Sequence, residues 1–453
     1  MQKLWRCYVR YKPYREYKNS GVEWLGEIPE HWSRKRLNLV AKQYRDAFVD
    51  GPFGSDLKSN EYKTSGTPLI QLNNIKEGIH IVRNMKFISD RKKKQLKRHI
   101  ARHGDIVIAK MAEPVARATI INQQYDEYVI VADCVRLTPN LGLIDSNYLV
   151  YAINSRNVRL GAELVSTGTT RIRINLTELK KLWIPYPAVK EQQSIATYLD
   201  KATSMIDILI AKQSRLIELL IEKRQAVIST AVTRGLDGSI PMKDSGVEWL
   251  GEIPGHWKTK KFKYLFQIRK RIAGELGFKI LSITQAGIKV KDVDSGKGQL
   301  SSDYSKYQHV YRGDYAMNHM DLLTGFVDLS KYDGVTSPDY RVFSLIEKDS
   351  NSEYYLYLLQ MGYINKLFYP LGQGSSQFGR WRLPTNAFKE FQAPFPPVQE
   401  QEEIALSIKH NLDRFSLLTM KAARAIELLK EKRTALISAA VTGKIDLRGK
   451  RYE

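Results

Sequence analysis

Two stretches of the chain carry apolar residues in alternating steps of four and three. In the first, Ile195, Leu199, Ala202, Ile206, Leu209, Leu216, Leu220 and Val227 share a face, interrupted by Gln213 and Lys223. In the second, Ile404, Ile408, Phe415, Leu418, Ala422, Ala425, Leu429, Leu436 and Ala439 do the same, interrupted by Asn411 and Lys432. Sustained 4,3 spacing predicts the seam of a coiled coil. Pro185 and Pro187 stand before the first stretch, and Pro394, Pro396 and Pro397 before the second. Proline there keeps the upstream chain out of the helix. Gly235 and Gly443 follow as C-terminal stops. Each stretch therefore reads as one helix of about 43 residues, roughly 65 Å at ~1.5 Å per residue. A lone helix with such a seam has nothing to pack on. The two are thus expected to pair within the chain, the interrupting polar residues setting register. The alternative is two separate helices, each on its own domain.

The rest of the chain reads differently. Short β-rich runs at 67–72 (TPLIQL), 104–110 (GDIVIAK), 127–133 (EYVIVAD) and 340–346 (YRVFSLI) are punctuated by Gly, Asn and Asp, which predicts strands joined by many loops. SNYLVYAINS at 146–155 and SEYYLYLLQM at 352–361 read as a matching pair of amphipathic helices. The two intervening domains are thus expected to be mixed α/β or mainly β.

The matching extends further, because the chain is a tandem duplication. SGVEWLGEIPEHW at 20–32 recurs as SGVEWLGEIPGHW at 245–257, with twelve of thirteen positions identical. IELLIEKRQAVISTAVT at 217–233 recurs as IELLKEKRTALISAAVT at 426–442, with thirteen of seventeen identical. Between these near-identical frames lie two inserts with little in common beyond fragments such as Gly104-Asp105 and Gly313-Asp314. A repeated frame around divergent inserts suits one scaffold that carries two specificities.

Charge gives those inserts a partner class. The 453 residues include 71 Lys and Arg against 48 Asp and Glu, a net charge of +23. Residues 190–235 and 399–444 are each nearly balanced, at +2. The excess therefore lies outside the helices, on the inserts and the N-terminal arm, as a polyanion such as nucleic acid would require. Only Cys7 and Cys134 are present, which excludes a disulfide framework or a cysteine-rich zinc module. No apolar run approaches the ~20 residues of a membrane helix, and the basic start has no apolar signal core. A cytoplasmic protein is expected.

Catalytic motifs are missing from this reading. There is no GxxxxGK[ST] phosphate loop and no [DNS]PP[YFW] segment of amino-methyltransferases; the one Pro-Pro pair is Pro396-Pro397. Pro338-Asp339 is followed by Glu347-Lys348 without the E-x-K spacing of a metal-dependent nuclease. His31 and His256, beside Trp32 and Trp257 in the frame, read as packing residues. No metal site is expected.

Three features together resemble the specificity subunits of type I restriction–modification systems. They are the frame SGVEWLGEIPxHW, the loop GPFGSDLKS at 51–59, and an EQ-xx-IA run before each helix, preceded by a proline with three or two residues between (Pro187 to Ala196, Pro397 to Ala405). The resemblance covers essentially the whole chain. It implies an α+β protein with two α/β target-recognition domains separated by two long helices, which pair as an antiparallel coiled coil in a pseudo-two-fold tandem repeat. The boundaries are then a basic extension at 1–19, a first recognition domain at 20–188, the central helix at 189–236, a second recognition domain at 237–397, and the C-terminal helix and tail at 398–453. It further implies that each domain reads one half of a split double-stranded DNA site. The subunit itself would be non-catalytic and without cofactor. It would recruit two methyltransferase subunits and the restriction subunits, which use S-adenosylmethionine, ATP and magnesium. Two other readings stay open: the recognition half of a nuclease, and a coiled-coil interaction protein whose charge is incidental.

Base readout needs donors and acceptors on reaching loops. In the first insert the candidates are Ser55, Lys58, Asn73, Asn74, Lys110, Arg117, Thr169, Thr170, Arg171 and Arg173. In the second they are Thr284, Gln285, Asn318, His319, Ser376, Gln377, Arg380 and Arg382. Arg171/Arg173 and Arg380/Arg382 each follow a Gly/Ser/Thr-rich loop.

Overall fold

The computed structural model describes residues 12–111, 113–168, 172–291, 304–374 and 381–448. The chain forms two compact units, residues 1–213 with 424–453, and residues 214–423. Both boundaries fall inside long helices. The central helix runs Val189–Arg234 and the C-terminal helix Val398–Val441.

Each unit holds the start of one long helix and the end of the other. In the first unit Ile195 and Leu199 share a core with Ile437 and Ala440, and Arg433 Nε lies 3.3 Å from Asp207 Oδ1. In the second, Ile228 and Val232 share a core with Ile404 and Ile408. Start against end is antiparallel pairing in both.

The phase of the seam departs from the expected one along the middle of each helix. Ile195, Leu199, Ile206 and Leu220 are buried, as are Ile404 and Ile408, while Val227, Phe415, Leu429 and Leu436 are half-buried. But Leu209, Leu216 and Leu418 point to solvent, and the covered positions are Ile210, Ile217 and Thr419. The covered stripe takes two steps of four in succession, Ile195–Leu199–Thr203 and Ile404–Ile408–Leu412. Two fours in a row shift the phase by one residue, the local unwinding produced by a stutter. Of the interrupting polar residues, Gln213 sits half-buried in the stripe and Asn411 half-buried beside it, next to Leu412; Lys223 and Lys432 are exposed.

A small clamp holds each long helix at its start, and the repeated motifs build it. Gln192 is fully buried. Its side-chain amide donates to Pro187 O at 2.8 Å and Leu143 O at 3.3 Å, and its Oε1 accepts from the Asp145 N–H at 2.8 Å. Asp145 is in turn the N-cap of the helix Ser146–Asn154, accepting from Tyr148 N–H at 2.9 Å. In the second unit Gln401 contacts Pro396 O, Asp349 O and Asn351 N–H in the same way, and Asn351 caps the helix Ser352–Ile364. The neighbouring glutamate reaches the frame: Glu191 accepts from Tyr14 Oη at 2.6 Å and meets His31 Nε2 at 3.1 Å. Glu400 meets His256 Nε2 at 2.5 Å and accepts from Trp257 Nε1 at 2.8 Å. His31 and His256 thus tie frame to helix through a carboxylate.

The frame also receives a helix end. Gly443 has φ +69°, and a Cβ there would lie 2.4 Å from the Pro29 ring. Gly235, φ +78°, takes the matching place against Trp257. Residues 13–19, read above as part of an extension, belong to this frame. Tyr14 is buried, and Tyr17–Asn19 pairs antiparallel with Glu27–Pro29, as Met242–Asp244 does with Glu252–Pro254.

Each insert leaves its frame through one two-stranded ribbon. Ser33–Arg36 pairs with Trp183–Tyr186, and Lys258–Lys261 with Gln392–Phe395. Beyond the ribbon both inserts build the same four-stranded antiparallel sheet. Its order is Ala118–Ile120, Ile106–Ala109, Cys134–Leu137, Phe48–Asp50 in the first unit, and Val327–Leu329, Tyr315–Met317, Arg341–Leu345, Phe266–Arg269 in the second. Beyond it the first unit adds a four-stranded sheet with a parallel pair, Thr67–Ile70 with Tyr128–Ile130, and the second adds two two-stranded sheets, Leu281–Thr284 with Gly287–Val290 and Gln308–Val310 with Gly334–Thr336. The inserts share a backbone plan despite their divergent sequences.

Candidate nucleic-acid interface

In the first unit the loops at one end of the strands converge. Gly51 opens one of them: its N–H donates to Cys134 O at 2.8 Å, and a Cβ there would lie 2.0 Å from Val131 O. Only glycine fits. Pro52 and Leu57 are buried and pin the loop on both sides, leaving Phe53, Ser55 and Lys58 exposed; Phe53 is 81% exposed. The loop 110–117 lies beside it through Lys110, whose Nζ meets Asp50 Oδ1 at 2.7 Å. Lys110 O accepts from Ile174 N–H, which brings in the antiparallel bridge of Thr167 with Arg173. Arg173 reaches Asp133 Oδ1 at 2.7 Å. Arg117 is half-buried, its guanidinium 3.5 Å from Leu72 O, beside exposed Asn73.

Two candidates in this unit are structural. Asn74 is 1% exposed, and its side chain accepts from Gln71 N–H at 2.9 Å and donates to Ile81 O at 2.8 Å. Lys110 is 5% exposed and held by Asp50. Lys110→Ala is expected to lower stability by about 1–3 kcal/mol, at the modest end for a buried pair because Asp50 keeps contact with water. It is expected to leave the DNA sequence recognised unchanged. Urea midpoints together with the recognised motif test this; an altered motif would return Lys110 to the readout set. Ser55, Lys58, Asn73, Arg117 and Arg173 remain on the rim. Thr169, Thr170 and Arg171 lie outside the described residues.

The second unit gathers the corresponding loops. Thr284 closes a tight turn, accepting from Ala286 N–H at 3.2 Å, and exposed Gln285 donates to Thr324 O at 3.3 Å. Leu322 N–H donates to Trp381 O at 3.1 Å, and Gln373 bridges antiparallel to Arg382. Asn318 is half-buried and His319 is 8% exposed. Burial, then Arg341 and Arg382, push the His319 pKa down to about 3, so the ring is neutral near pH 7. His319 is therefore no surface cation. Ser376, Gln377 and Arg380 lie outside the described residues.

Phe53 and Arg341 also lie at these loops and are not among the candidates above, which are polar groups on loops: Phe53 is apolar and Arg341 opens a strand. The signal for Phe53 was its place between Pro52 and Gly54 in a short, small-residue loop.

The sequence profile of the type I restriction modification DNA specificity domain matches residues 54–219 and again 254–428. The chain belongs to the type I restriction–modification specificity family. The putative type I restriction enzyme MjaX specificity subunit of Methanocaldococcus jannaschii is 23% identical over 440 residues, 93% of this chain and 95% of the relative. The EcoKI specificity subunit of Escherichia coli is 21% identical, covering 93% and 90%. In fold, the chain is similar to the HsdS subunit from Thermoanaerobacter tengcongensis, with TM-score 0.52, 12% identity, and 92% and 98% of the two chains covered. It is also similar to a chain solved in work on complex assembly and conformational transition of the type I R-M system, with TM-score 0.63, 12% identity, and 91% and 98% covered. No helix among the described residues is long and apolar enough to cross a membrane.

Proposed function

We propose that the chain is the cytoplasmic DNA-reading subunit of a type I restriction–modification complex, with each insert reading one half of a bipartite double-stranded site. One observation carries this. The loop after Ile106–Ala109 and the loop after Tyr315–Met317 leave the same sheet at equivalent places in the two units, yet carry different side chains, Arg117 in one and Asn318 in the other, and the neighbouring loops add Ser55, Lys58 and Asn73 in the first unit and Gln285 in the second. A shared backbone with unshared donors and acceptors is what two distinct half-sites require, since base edges are told apart by their donor and acceptor pattern. Phe53, held out beside Ser55, supplies an apolar surface suited to a thymine methyl or a base step.

In this reading the subunit has no catalytic centre and no cofactor of its own. Two methyltransferase subunits bring S-adenosylmethionine, and restriction subunits bring ATP and magnesium. The deciding experiment is co-expression with the neighbouring methyltransferase gene, followed by methylome sequencing. The expected result is a methylated adenine motif in two parts with an unspecified gap. A continuous motif, or none, would overturn the reading.

A further inference from the structure

In the second unit two arginines lie together without an acid. Arg341 is 4% exposed. Its Nη2 donates to Leu383 O at 3.0 Å and lies 3.4 Å from Thr385 Oγ1, and its guanidinium covers the Phe388 ring at 4.8 Å. Its Nη1 is buried with no hydrogen-bond partner. Burial and then the Arg382 charge lower its pKa to about 10, while Tyr363 acts the other way; no carboxylate contributes. Arg341 is still cationic at neutral pH. Arg382 is exposed, and among the described residues it makes no ion pair. His319, whose pKa both arginine charges lower, is neutral, and among the described residues its buried Nδ1 has no partner; nor does the buried Oδ1 of neighbouring Asn318. In front of Arg341 opens a pocket of about 530 Å³, lined by Gln373, Gly374, Arg382, Pro384, Thr385 and Asn386, none of them acidic.

The first unit resolves the same position differently. Leu383 N–H donates to His319 O as Ile174 N–H donates to Lys110 O, so Lys110 and Arg173 occupy the places of His319 and Arg382. There each cation has its own carboxylate, Asp50 and Asp133, both at 2.7 Å. A buried guanidinium without an acid is costly unless an anion completes it.

We propose that this pocket of the second unit binds one phosphate of the DNA backbone, with Arg382 at its mouth and Arg341 behind Thr385. The proposal rests on the DNA-reading function above and adds to it an asymmetry: one lobe holds a phosphate seat lined by no acid, where the other pairs the cations at the corresponding positions, Lys110 and Arg173, with Asp50 and Asp133. Net charge decides for phosphate over a guanine edge. Two uncompensated cations need negative charge, and a base is neutral. Arginine also matches phosphate oxygens with several fixed donors.

The test uses the full-length chain with its methyltransferase partner and a fluorescein-labelled mixed-sequence duplex, titrated by anisotropy over a series of KCl concentrations. Arg382→Ala is expected to weaken binding about five- to thirtyfold and to flatten the slope of log K against log [KCl] by about 0.9, the value of one phosphate contact. Arg382→Lys is expected to restore the slope. All variants are expected to methylate the wild-type motif. An unchanged slope and affinity in Arg382→Ala would overturn the proposal, as would a motif relaxed at one base pair, which would mark a base contact. If the wild-type complex bound no duplex at all, the DNA-reading function would fall too; wild-type binding that Arg382→Ala reproduces sinks the phosphate seat alone.

Discussion

Gln192→Met is expected to cost about 3–5 kcal/mol of stability, although methionine has nearly the shape of glutamine. The side chain is fully buried and bonds three backbone groups from two segments: Leu143 O, Pro187 O and Asp145 N–H. Methionine satisfies none of them. A buried backbone group left unpaired costs roughly 1–3 kcal/mol, and three that share one site add less than fully. The loss also reaches the N-cap of the helix Ser146–Asn154, since Asp145 is held by the glutamine it would lose. Gln401→Met is expected to behave alike in the second unit, where Gln401 makes the corresponding three bonds. Gln193→Met supplies the control: the same substitution, one residue along, on an exposed side chain, with an expected change within about 0.5 kcal/mol. Urea denaturation followed by tryptophan fluorescence measures all three. A loss below about 1 kcal/mol for Gln192→Met would mean that the clamp is not what secures the helix start.

That clamp also shows what was legible in the chain. The EQ pair and the EIPxHW frame were visible as repeats, and repetition marked them as scaffold. Which atoms they join was not visible, because Glu191 meets His31 and Tyr14 from about 160–180 residues away. The long helices were plain, bounded by proline before and glycine after. Their seam was readable towards the ends of the helices and not along the middle. There Ile208, Leu209 and Ile210 follow one another, so either phase offers an apolar face, and only the position of the partner helix selects Ile210. The short strands at 67–70, 106–109, 128–130 and 341–345 stood out by their β-branched and aromatic runs.

The candidate readout residues stood out by type alone, and type is blind to burial. Lys110 and Asn74 carry the right groups for DNA and spend them inside the protein, on Asp50 and on the backbone near Ile81. Asp50 is sixty residues upstream, so nothing local to Lys110 betrays the pair. The converse error hid Arg341. It lies in a strand that reads as core, and the acid that would neutralise it is missing, which no linear pattern displays.

The largest functional effect is expected from exchanging a whole insert. Residues 37–182 enter and leave the first frame side by side: Leu37 N–H donates to Leu182 O at 3.0 Å, just past the ribbon of Ser33–Arg36 with Trp183–Tyr186. A cut at those two points opens the chain where it is already closed by hydrogen bonds. The frame, both long helices and residues 262–391 stay intact. The second ribbon closes in the same way, through Phe262 N–H and Phe391 O at 2.9 Å. The graft must bring an N-cap residue that can offer its N–H to Gln192 and a tyrosine like Tyr148, whose hydroxyl donates to Pro185 O at 3.0 Å. With an insert from a relative that meets those two conditions, one half of the methylated motif is expected to change completely and the other to persist base for base. Retaining the old half-site on a wrong sequence would require absorbing several mismatches at about 1–3 kcal/mol each. Mixed recognition of old and new half-sites is therefore not expected. The readout is methylome sequencing of a strain that carries the chimaera and its methyltransferase partner. A chimaera that folds and methylates, but whose motif changes in both halves, would show that the inserts do not read independently.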